Sequence, residues 1–286
     1  MKGRVAMKTL GYYNGKFGEL DEMTVPMNDR VCYFGDGVYE ATLARNYTIY
    51  CLDEHVDRLF SSMEKLRIPA PMTKADLKEE LYAMVRKMDC GELIVYFQVT
   101  RGTGMRAHAF PEKSSSNLWI ALWEMHADDL TRPIRLTEMD DTRFLHCDIK
   151  TLNLIPSVMA SQKAKEQGAD ECVFHRGKTV TECAHSNIHI LQDGTLITHP
   201  ADRYILAGIA RKNLIKYCLE SGIPVEERPF TMDELKNADE VIVSSSGAFA
   251  QRALFLDGKD IGGKAGTLLK QIQKALLDDF IEKTGE

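Results

Sequence analysis

A lysine among apolar neighbours is the first group in this chain whose type and setting could do covalent chemistry. It is Lys150, in the run Asp148-Ile149-Lys150-Thr151-Leu152-Asn153. Apolar neighbours predict a side chain that faces inward or lines a cavity. Burial there lowers the pKa of the amine and leaves it able to attack a carbonyl carbon. A surface lysine between a strand and a helix is the alternative, and it is the commoner case for one such run taken alone.

A single carboxylate could serve a pyridine ring. Glu182 lies in the run Thr181-Glu182-Cys183-Ala184-His185-Ser186-Asn187, after a hairpin predicted at residues 175–178. A carboxylate beside a ring nitrogen keeps that nitrogen protonated, which lets the ring accept electrons. A solvated strand residue would give the same pattern.

Two further features could bind a phosphate group. The run Gly208-Ile209-Ala210 opens a predicted helix, where free backbone N–H groups and the helix dipole favour an anion. The run Ser244-Ser245-Ser246-Gly247 offers hydroxyl groups and small side chains. Glycine-opened helices and serine loops are common, so neither feature is specific by itself.

Two arginines could hold anionic groups. Arg106 and His108 flank Ala107 in a loop after a strand that ends at Thr100, and their alternate spacing points both side chains the same way in an extended loop. Such a pair could clamp a carboxylate, with the arginine supplying a fork of donors. Arg58 lies off the apolar stripe of its predicted helix. A charged surface loop and a solvated helix arginine are the respective alternatives.

Composition and charge exclude several classes of protein. The 286 residues are 44% hydrophobic and 27% charged, which is typical of a globular protein. The net charge is -6 and the basic residues are scattered along the chain. This pattern disfavours a protein that binds nucleic acid or a membrane surface. The apolar run at residues 93–97 is too short to span a bilayer, and residues 1–10 lack the apolar stretch of a signal peptide.

The cysteine pattern gives the expected compartment. Seven cysteines lie far apart and form no CxxC pair. This pattern favours reduced thiols over a disulfide framework or a zinc site, so we expect a cytoplasmic protein that binds no metal.

Periodicity places these residues on elements. It predicts helices at residues 53–67 and from Thr73 onward, the latter with Thr73 and Asp76 as a capping box, and strands at 93–100 and 118–123. The second half predicts a hairpin turning at Asp193-Gly194, a helix at 208–220, a strand at 240–245 and a helix at 263–283.

These elements predict an α/β (α+β) fold. We expect an N-terminal α/β domain at residues 1–126, a linker at 127–133 and a C-terminal domain at 134–286 that carries Lys150. A crevice between two such domains is the expected ligand site.

Taken together, the motifs resemble the fold-type IV (class IV) aminotransferases that depend on pyridoxal 5′-phosphate, and the D-amino acid branch most closely. The likeness runs from about Leu10 to the last helix. The matching stretches, besides those around Lys150 and Arg106, are Tyr33-Phe34-Gly35-Asp36-Gly37-Val38-Tyr39-Glu40, Asp53-Glu54-His55-Val56-Asp57-Arg58-Leu59, Thr179-Val180-Thr181-Glu182 and Leu206-Ala207-Gly208-Ile209-Ala210-Arg211.

The resemblance implies residue roles. Lys150 would carry the cofactor as a Schiff base, Glu182 would hold the ring nitrogen, and Leu206 would press on the ring. The phosphate would be held by Arg58, the N–H groups of Ile209 and Ala210, and the hydroxyls of Ser245 and Ser246.

The resemblance also implies how substrate is bound. Tyr39 would stand on the substrate side, and Arg106 and His108 would bind the substrate carboxylate. In relatives this loop reaches over from the neighbouring subunit of a homodimer. The implied reaction is ping-pong transamination of D-amino acids with 2-oxoglutarate or pyruvate as acceptor.

The chain departs from the family pattern in three places. Cys183-Ala184-His185 stand where small residues are usual, Ala210 replaces a threonine that helps to hold the phosphate, and Leu43 stands where a well-known relative has lysine.

Four other functions stay open. Within the fold, the chain could be a branched-chain L-aminotransferase, an (R)-selective amine transaminase or an aminodeoxychorismate lyase. The Arg106-Ala107-His108 run disfavours the first two and is unexpected in the third. Outside catalysis, a cofactor-free scaffold would have no use for both Lys150 and Glu182.

Overall fold

The computed structural model describes residues 9–113 and 115–285. The prediction that residues 1–10 are not a signal peptide falls mostly on residues 1–8, which lie outside the described residues. The chain divides into two compact units. The first comprises Met1–His126, Ile149–Asn153 and Ile281–Glu286, and the second comprises Ala127–Asp148 and Leu154–Phe280.

The first unit is built on an antiparallel sheet of six strands in the order β2-β1-β6-β5-β3-β4. The strands are β1 (Thr9–Tyr13), β2 (Lys16–Gly18), β3 (Gly37–Arg45), β4 (Thr48–Ile49), β5 (Glu92–Thr100) and β6 (Asn117–Glu124). The helices are α1 (Arg30–Phe34), α2 (Leu52–Leu66) and α3 (Lys74–Met88).

The core of the first unit lies between one face of this sheet and helices α2 and α3. Side chains alternate along each strand, so every second residue of β3, β5 and β6 points to the helices. Buried members of this core are Val38, Val95, Phe97, Leu122, Val56, Leu59, Leu81 and Met84. Burying each such aliphatic or aromatic side chain contributes about 1.5–3 kcal/mol, so the core fixes the register of β3 and the face of α2.

The segment that carries Lys150 packs with the first unit. The Tyr39 amide donates to the carbonyl oxygen of Lys150 (3.0 Å), and the Leu152 amide donates to the carbonyl oxygen of Gly37 (3.0 Å). The sequence predicts Lys150 in the C-terminal domain, and in the structure these bonds with β3 group the segment 149–153 with the first unit. The predicted domain and linker limits otherwise stay predictions.

The second unit contains a mixed sheet of nine strands. They are β7 (Ile134–Asp140), β8 (Glu171–Arg176), β9 (Thr179–Cys183), β10 (Asn187–Gln192), β11 (Thr195–Thr198), β12 (Val225–Glu227), β13 (Glu240–Ser244), β14 (Gln251–Leu256) and β15 (Lys259–Asp260). The order is β12-β11-β10-β13-β14-β7-β8-β9, with β15 beside β14. The pairs β11–β12, β7–β14 and β7–β8 are parallel.

Four helices accompany this sheet. They are α4 (Ile155–Glu166), α5 (Ile209–Glu220), α6 (Met232–Asn237) and α7 (Gly266–Thr284), the end of which is grouped with the first unit. Buried aliphatic side chains of the sheet, such as Val180, Ile190 and Val241, pack with Phe230 and Leu235 in one core cluster. That cluster holds β9 and β10 in place, and these two strands carry the polar residues described below.

The predicted elements agree with the structure, with one correction. Helices α2, α3, α5 and α7 and strands β5, β6 and β13 lie where periodicity placed them, and Asp193-Gly194 joins β10 to β11 with positive φ at both residues. The capping box at Thr73 was wrong in part. The Thr73 hydroxyl accepts from the Asp76 amide, but the Asp76 carboxylate binds that hydroxyl and not the Thr73 backbone N–H. Asp is one methylene shorter than the Glu that completes a capping box.

No helix among the described residues is both long and apolar enough to cross a membrane.

Candidate active site

Lys150 lies beside Tyr39 on strand β3. Its Nζ atom is 4.3 Å from the centroid of the Tyr39 ring, which in turn stacks on Tyr96 at 5.6 Å. The Lys150 amide donates to the Ser62 hydroxyl (3.3 Å), while its carbonyl oxygen accepts from Tyr39. The backbone of Lys150 is therefore held on both sides, and the amine lies over an aromatic face.

The next residue of β3 points to the opposite face and binds Arg58. The Glu40 carboxylate is fully buried and accepts from Arg58 Nε (2.7 Å) and Nη2 (2.8 Å), and it also contacts His55 Nδ1 at 2.7 Å. Burial would raise the pKa of Glu40, but the charge and hydrogen bonds of Arg58 and the bond from His55 outweigh it and lower that pKa to about 2. The arginine of α2 is thus fixed by a bidentate pair.

Burial lowers the pKa of His55 in spite of its bond to Glu40. The ring is therefore neutral near pH 7, and Nδ1 serves as the donor to the carboxylate. The cluster carries one positive charge, on Arg58, and one negative charge, on Glu40.

This pair gives a stability prediction. Because the folded-state pKa of Glu40 lies below the ordinary value of 4.5, its contribution is present above pH 4.5 and is lost as the pH falls toward 2. Glu40→Gln should destabilise the protein by about 3–5 kcal/mol at pH 7, the cost of breaking a buried ion pair, and by less at pH 4. Urea unfolding at both pH values measures this.

The matched control is Asp57→Asn, on helix α2 beside Arg58, the partner of Glu40. Asp57 pairs with Lys74 at 2.6 Å, but 67% of its side chain is exposed, so its replacement should cost only about 0–1 kcal/mol. Equal costs for the two variants at pH 7 would contradict the buried pair.

Glu182 is buried on β9 and its carboxylate is held by three donors. Oε2 accepts from Asn187 Nδ2 (2.9 Å) and from the Leu206 amide (3.0 Å), and Oε1 accepts from Arg143 Nη1. Burial raises the pKa of Glu182, and the charge of Arg143 opposes that shift. No sequence motif predicts a role for Asn187 or Arg143.

The start of α5 is tied to the same carboxylate through Asn187. Asn187 Nδ2 donates to the Leu206 carbonyl oxygen (3.0 Å) as well as to Glu182. Gly208 is the N-cap of α5 and offers no side-chain cap, so no cap competes with an anion for the first N–H groups of the helix, at Ile209 and Ala210. A Cβ on residue 208 would overlap Asn187 Oδ1, so a larger residue there would displace the Asn187 side chain from its bonds.

The serine run forms a turn after β13. The Ser245 hydroxyl accepts from the Ala248 amide (3.2 Å), and its carbonyl oxygen accepts from the Phe249 amide (3.1 Å). Ser245 and Ser246 are half-buried, so their hydroxyls remain within reach of a ligand.

Arg106 and His108 both contact Phe34. The Arg106 guanidinium carbon lies 5.4 Å from the centroid of the Phe34 ring, and the His108 ring lies 5.3 Å from it. Arg30 anchors the loop between them, since its Nη1 donates to the Ala107 carbonyl oxygen (2.7 Å). Both predicted clamp residues are exposed and share one aromatic support.

The structure brings the predicted residues together in groups. The Lys150 amine contacts the Tyr39 ring, and the Glu182 carboxylate accepts a hydrogen bond from the Leu206 amide. Arg106 and His108 both contact Phe34. Arg58 is bonded to Glu40, and Glu40 in turn contacts His55. Both Glu40 and His55 lie in the matching stretches, and neither has a role predicted from the sequence.

The positions that differ from the family pattern differ in burial. Cys183 and Ala184 are buried and their amides bond to Ser186 and Cys172, whereas His185 is exposed. Burial raises the pKa of the Cys183 thiol well above its ordinary value, which keeps it protonated. Leu43 is buried, with 1% of its surface exposed.

Comparison with known proteins identifies the family. The family model described as amino-transferase class IV matches residues 37–253. The chain belongs to the class IV aminotransferases. Lys150, Glu182 and Arg58 all lie inside the matched range, and the resemblance inferred from the motifs is confirmed.

Individual class IV aminotransferases resemble the chain over nearly its full length. The D-alanine aminotransferase of Staphylococcus haemolyticus is 37% identical over 95% of this chain and 97% of its own. That of Listeria monocytogenes serotype 1/2a (strain 10403S) is 37% identical over 96% of both. The solved branched-chain amino acid aminotransferase from Escherichia coli superposes with a TM-score of 0.87 and 24% identity over 98% of this chain and 96% of its own.

Proposed function

We propose that the protein transfers the amino group of D-amino acids to 2-oxoglutarate or pyruvate and uses pyridoxal 5′-phosphate as cofactor. The observation that carries the proposal is the 37% identity to D-alanine aminotransferases over nearly the whole of both chains. The presence of Lys150, Glu182 and the Arg106-Ala107-His108 run supports it.

The residues present fit this cofactor. Glu182 is a buried carboxylate with three donors, and a carboxylate offers about four acceptor positions, so one further N–H can be accepted. Lys150 supplies an amine and Arg58 a fixed guanidinium. The uncapped start of α5 suits a phosphate, to which Ile209, Ala210, Ser245 and Ser246 would donate.

The chain's own groups divide the work. Pyridoxal phosphate supplies a carbonyl that takes up the amino group and a ring that accepts electrons. Lys150 Nζ anchors it and then moves the proton that leaves the substrate Cα. Glu182 holds the proton on the ring nitrogen, and Leu206 packs against the ring. Tyr39, under Lys150, orients the amine on the substrate side.

Arg106 and His108 would recognise the substrate carboxylate. Their shared support on Phe34 and the anchoring of their loop by Arg30 keep the two side chains at a fixed spacing. A clamp of this kind selects amino acids over simple amines, since an amine offers nothing to the arginine fork.

We further propose a homodimer in the cytoplasm, in which the clamp loop serves the neighbouring subunit. An apolar patch on α4, formed by Ile155, Val158 and Met159, is more than half exposed at each residue and suits a subunit interface. The described residues include all seven cysteines, and each is a free thiol, as a reducing compartment would keep them.

Branched-chain L-aminotransferase activity is the second candidate. The similarity of the fold to such an enzyme, with a TM-score of 0.87, favours it at the level of architecture. The exposed Arg106 and His108 argue against it.

Arg58→Ala should weaken cofactor retention. Loss of a charge-assisted bond to phosphate costs roughly 1.5–3 kcal/mol, so cofactor affinity should fall about tenfold to a hundredfold. Fluorescence titration of apoenzyme with pyridoxal phosphate measures the dissociation constant. Arg86→Ala, on the exposed side of α3, is the control and should change nothing. An unchanged constant in Arg58→Ala would make Arg58 a structural partner of Glu40 only.

The proposed activity is tested by paired assays of D- and L-alanine, D- and L-glutamate and D- and L-valine with 2-oxoglutarate and pyruvate. Turnover confined to the D-series supports the proposal. Preference for L-valine would favour the second candidate. An absorbance band near the visible edge that borohydride abolishes separates an enzyme from a scaffold, and its absence after reconstitution would contradict the cofactor.

A further inference from the structure

Three charged side chains of the second unit are bonded in a row that ends at Glu182. Arg176 Nε donates to Asp141 Oδ2 (3.0 Å), and Asp141 accepts from Arg143 through Nε and Nη2 at 2.9 Å each. Arg143 Nη1 then donates to Glu182 Oε1. The Asp141 side chain is fully buried, and those of Arg143 and Glu182 are 11% and 7% exposed.

Arg143 is fixed more firmly than a structural ion pair needs. Besides its two bonds to Asp141, its Nη2 donates to the Tyr204 carbonyl oxygen (3.2 Å), and its guanidinium lies 4.7 Å from the centroid of the Phe174 ring. These contacts use every edge of the guanidinium except the one that faces Glu182. Removing such a network from water costs free energy, and a protein with apolar side chains of similar volume in its place is often as stable.

The network controls a carboxylate that must carry charge. A protonated ring nitrogen needs an anionic partner, yet Glu182 is buried beside two neutral donors, Asn187 and the Leu206 amide. Burial favours the neutral carboxylic acid. Arg143 is the one cation among the described residues that bonds to Glu182, so ionisation of Glu182 depends on it.

We propose that Arg143 is the positioning residue that keeps Glu182 ionised and fixes its carboxylate through Oε1, so that Glu182 would hold the proton on the ring nitrogen of the cofactor. Asp141 takes two of the Arg143 donors and neutralises part of its charge, so that Glu182 keeps enough basicity to hold a proton on its partner. Arg176 and the Thr181 hydroxyl (3.0 Å) hold Asp141 in turn. The proposal rests on the role assigned to Glu182 in the proposed function.

The first test uses the apoenzyme and needs no turnover. The carboxyl stretching band of Glu182, identified as the band lost in Glu182→Gln, is followed by infrared titration with 13C-labelled glutamate. Arg143→Gln should raise the pKa of Glu182 by about 1–3 units, the usual effect of losing an adjacent opposite charge. Asp141→Asn should lower the pKa of Glu182, because the charge of Arg143 is then no longer shared with a second carboxylate.

The second test reads the ring nitrogen directly. Enzyme loaded with 15N-pyridoxal phosphate is compared with Arg143→Gln, and Glu182→Gln gives the signal of the deprotonated nitrogen. Arg143→Gln should move the resonance toward that reference at pH 7.5 and lower kcat about a hundredfold, because a neutral ring is a poor electron acceptor. Arg143→Lys keeps the charge and should restore the protonated signal.

Arg132→Met is the control, because Arg132 also pairs with an aspartate of the second unit, Asp170, and makes no bond to Asp141, Arg143 or Glu182 among the described residues. It should leave the nitrogen resonance unchanged. If Glu182→Gln itself leaves the resonance unchanged, the role of Glu182 in the proposed function fails. If Glu182→Gln shifts it and folded Arg143→Gln does not, the inference about Arg143 alone is overturned. Should Arg143→Gln not fold, an unchanged or higher pKa of Glu182 in Asp141→Asn overturns it equally.

Discussion

Replacing Lys150 by alanine is expected to abolish transamination. The amine would anchor the cofactor and carry the proton between the substrate and the cofactor, and no other amine is within 4.3 Å of the Tyr39 ring among the contacts of the described residues. Removal of a group that performs two chemical steps costs about four to six powers of ten in kcat. The backbone bonds to Tyr39 and Ser62 do not involve the side chain, so the segment should keep its conformation.

The measurement is single-turnover formation of pyruvate from D-alanine, with mass spectrometry to exclude wild-type enzyme. Lys163→Ala is the control. Lys163 is also half-buried, but its amine donates to the Glu138 carbonyl oxygen (2.8 Å), and Glu138 is not one of the predicted site residues. It should keep near wild-type turnover. Retention of about one percent of activity by Lys150→Ala would remove Lys150 from the catalytic role.

Arg106→Ala should reduce kcat/KM for D-alanine by about thirtyfold to several thousandfold, the cost of roughly 2–5 kcal/mol for truncating one partner of a charge-assisted pair. (R)-1-Phenylethylamine has no carboxylate, so its rate should change little or rise in the vacated space. The informative quantity is the ratio of the two substrates in the first half-reaction. A keto-acid acceptor would use the same clamp and hide the difference.

Lys113→Ala is the matched control for Arg106, since Lys113 is another exposed cation of the same loop. It should leave the ratio unchanged. A fall for D-alanine alone supports the clamp. Equal falls for both substrates would make Arg106 a support for the loop or the dimer, and no fall for either would make it a surface charge.

The elements were predictable because their signals are local. Helix α2 repeats its apolar residues every three or four positions, and the turn between β10 and β11 is determined by two adjacent residues, Asp193 and Gly194. Lys150 and Glu182 were found because motifs around them resemble a family, although each residue alone was ambiguous.

The supports of the site were not predictable in this way. Arg143 and Glu182 are 39 residues apart in sequence, and Arg30 and Ala107 are 77 apart. Such pairs meet only after the sheet has formed, and no pattern within one element records them. The same reason explains why the sequence did not predict the backbone bonds between the Lys150 segment and β3: a five-residue segment of this kind has no periodicity of its own.

The close approach of Asn187 to Gly208 limits how this enzyme can change by mutation. The Asn187 side chain fills the place of a Cβ at residue 208, and its amide also donates to Glu182. A larger residue at 208 would displace the Asn187 side chain, and a shorter residue at 187 would remove its amide, so either change alone takes a donor from the carboxylate. A path that changes both positions one at a time therefore passes through an impaired intermediate. We expect the two positions to vary together or not at all, as an evolutionary constraint set by one amide group.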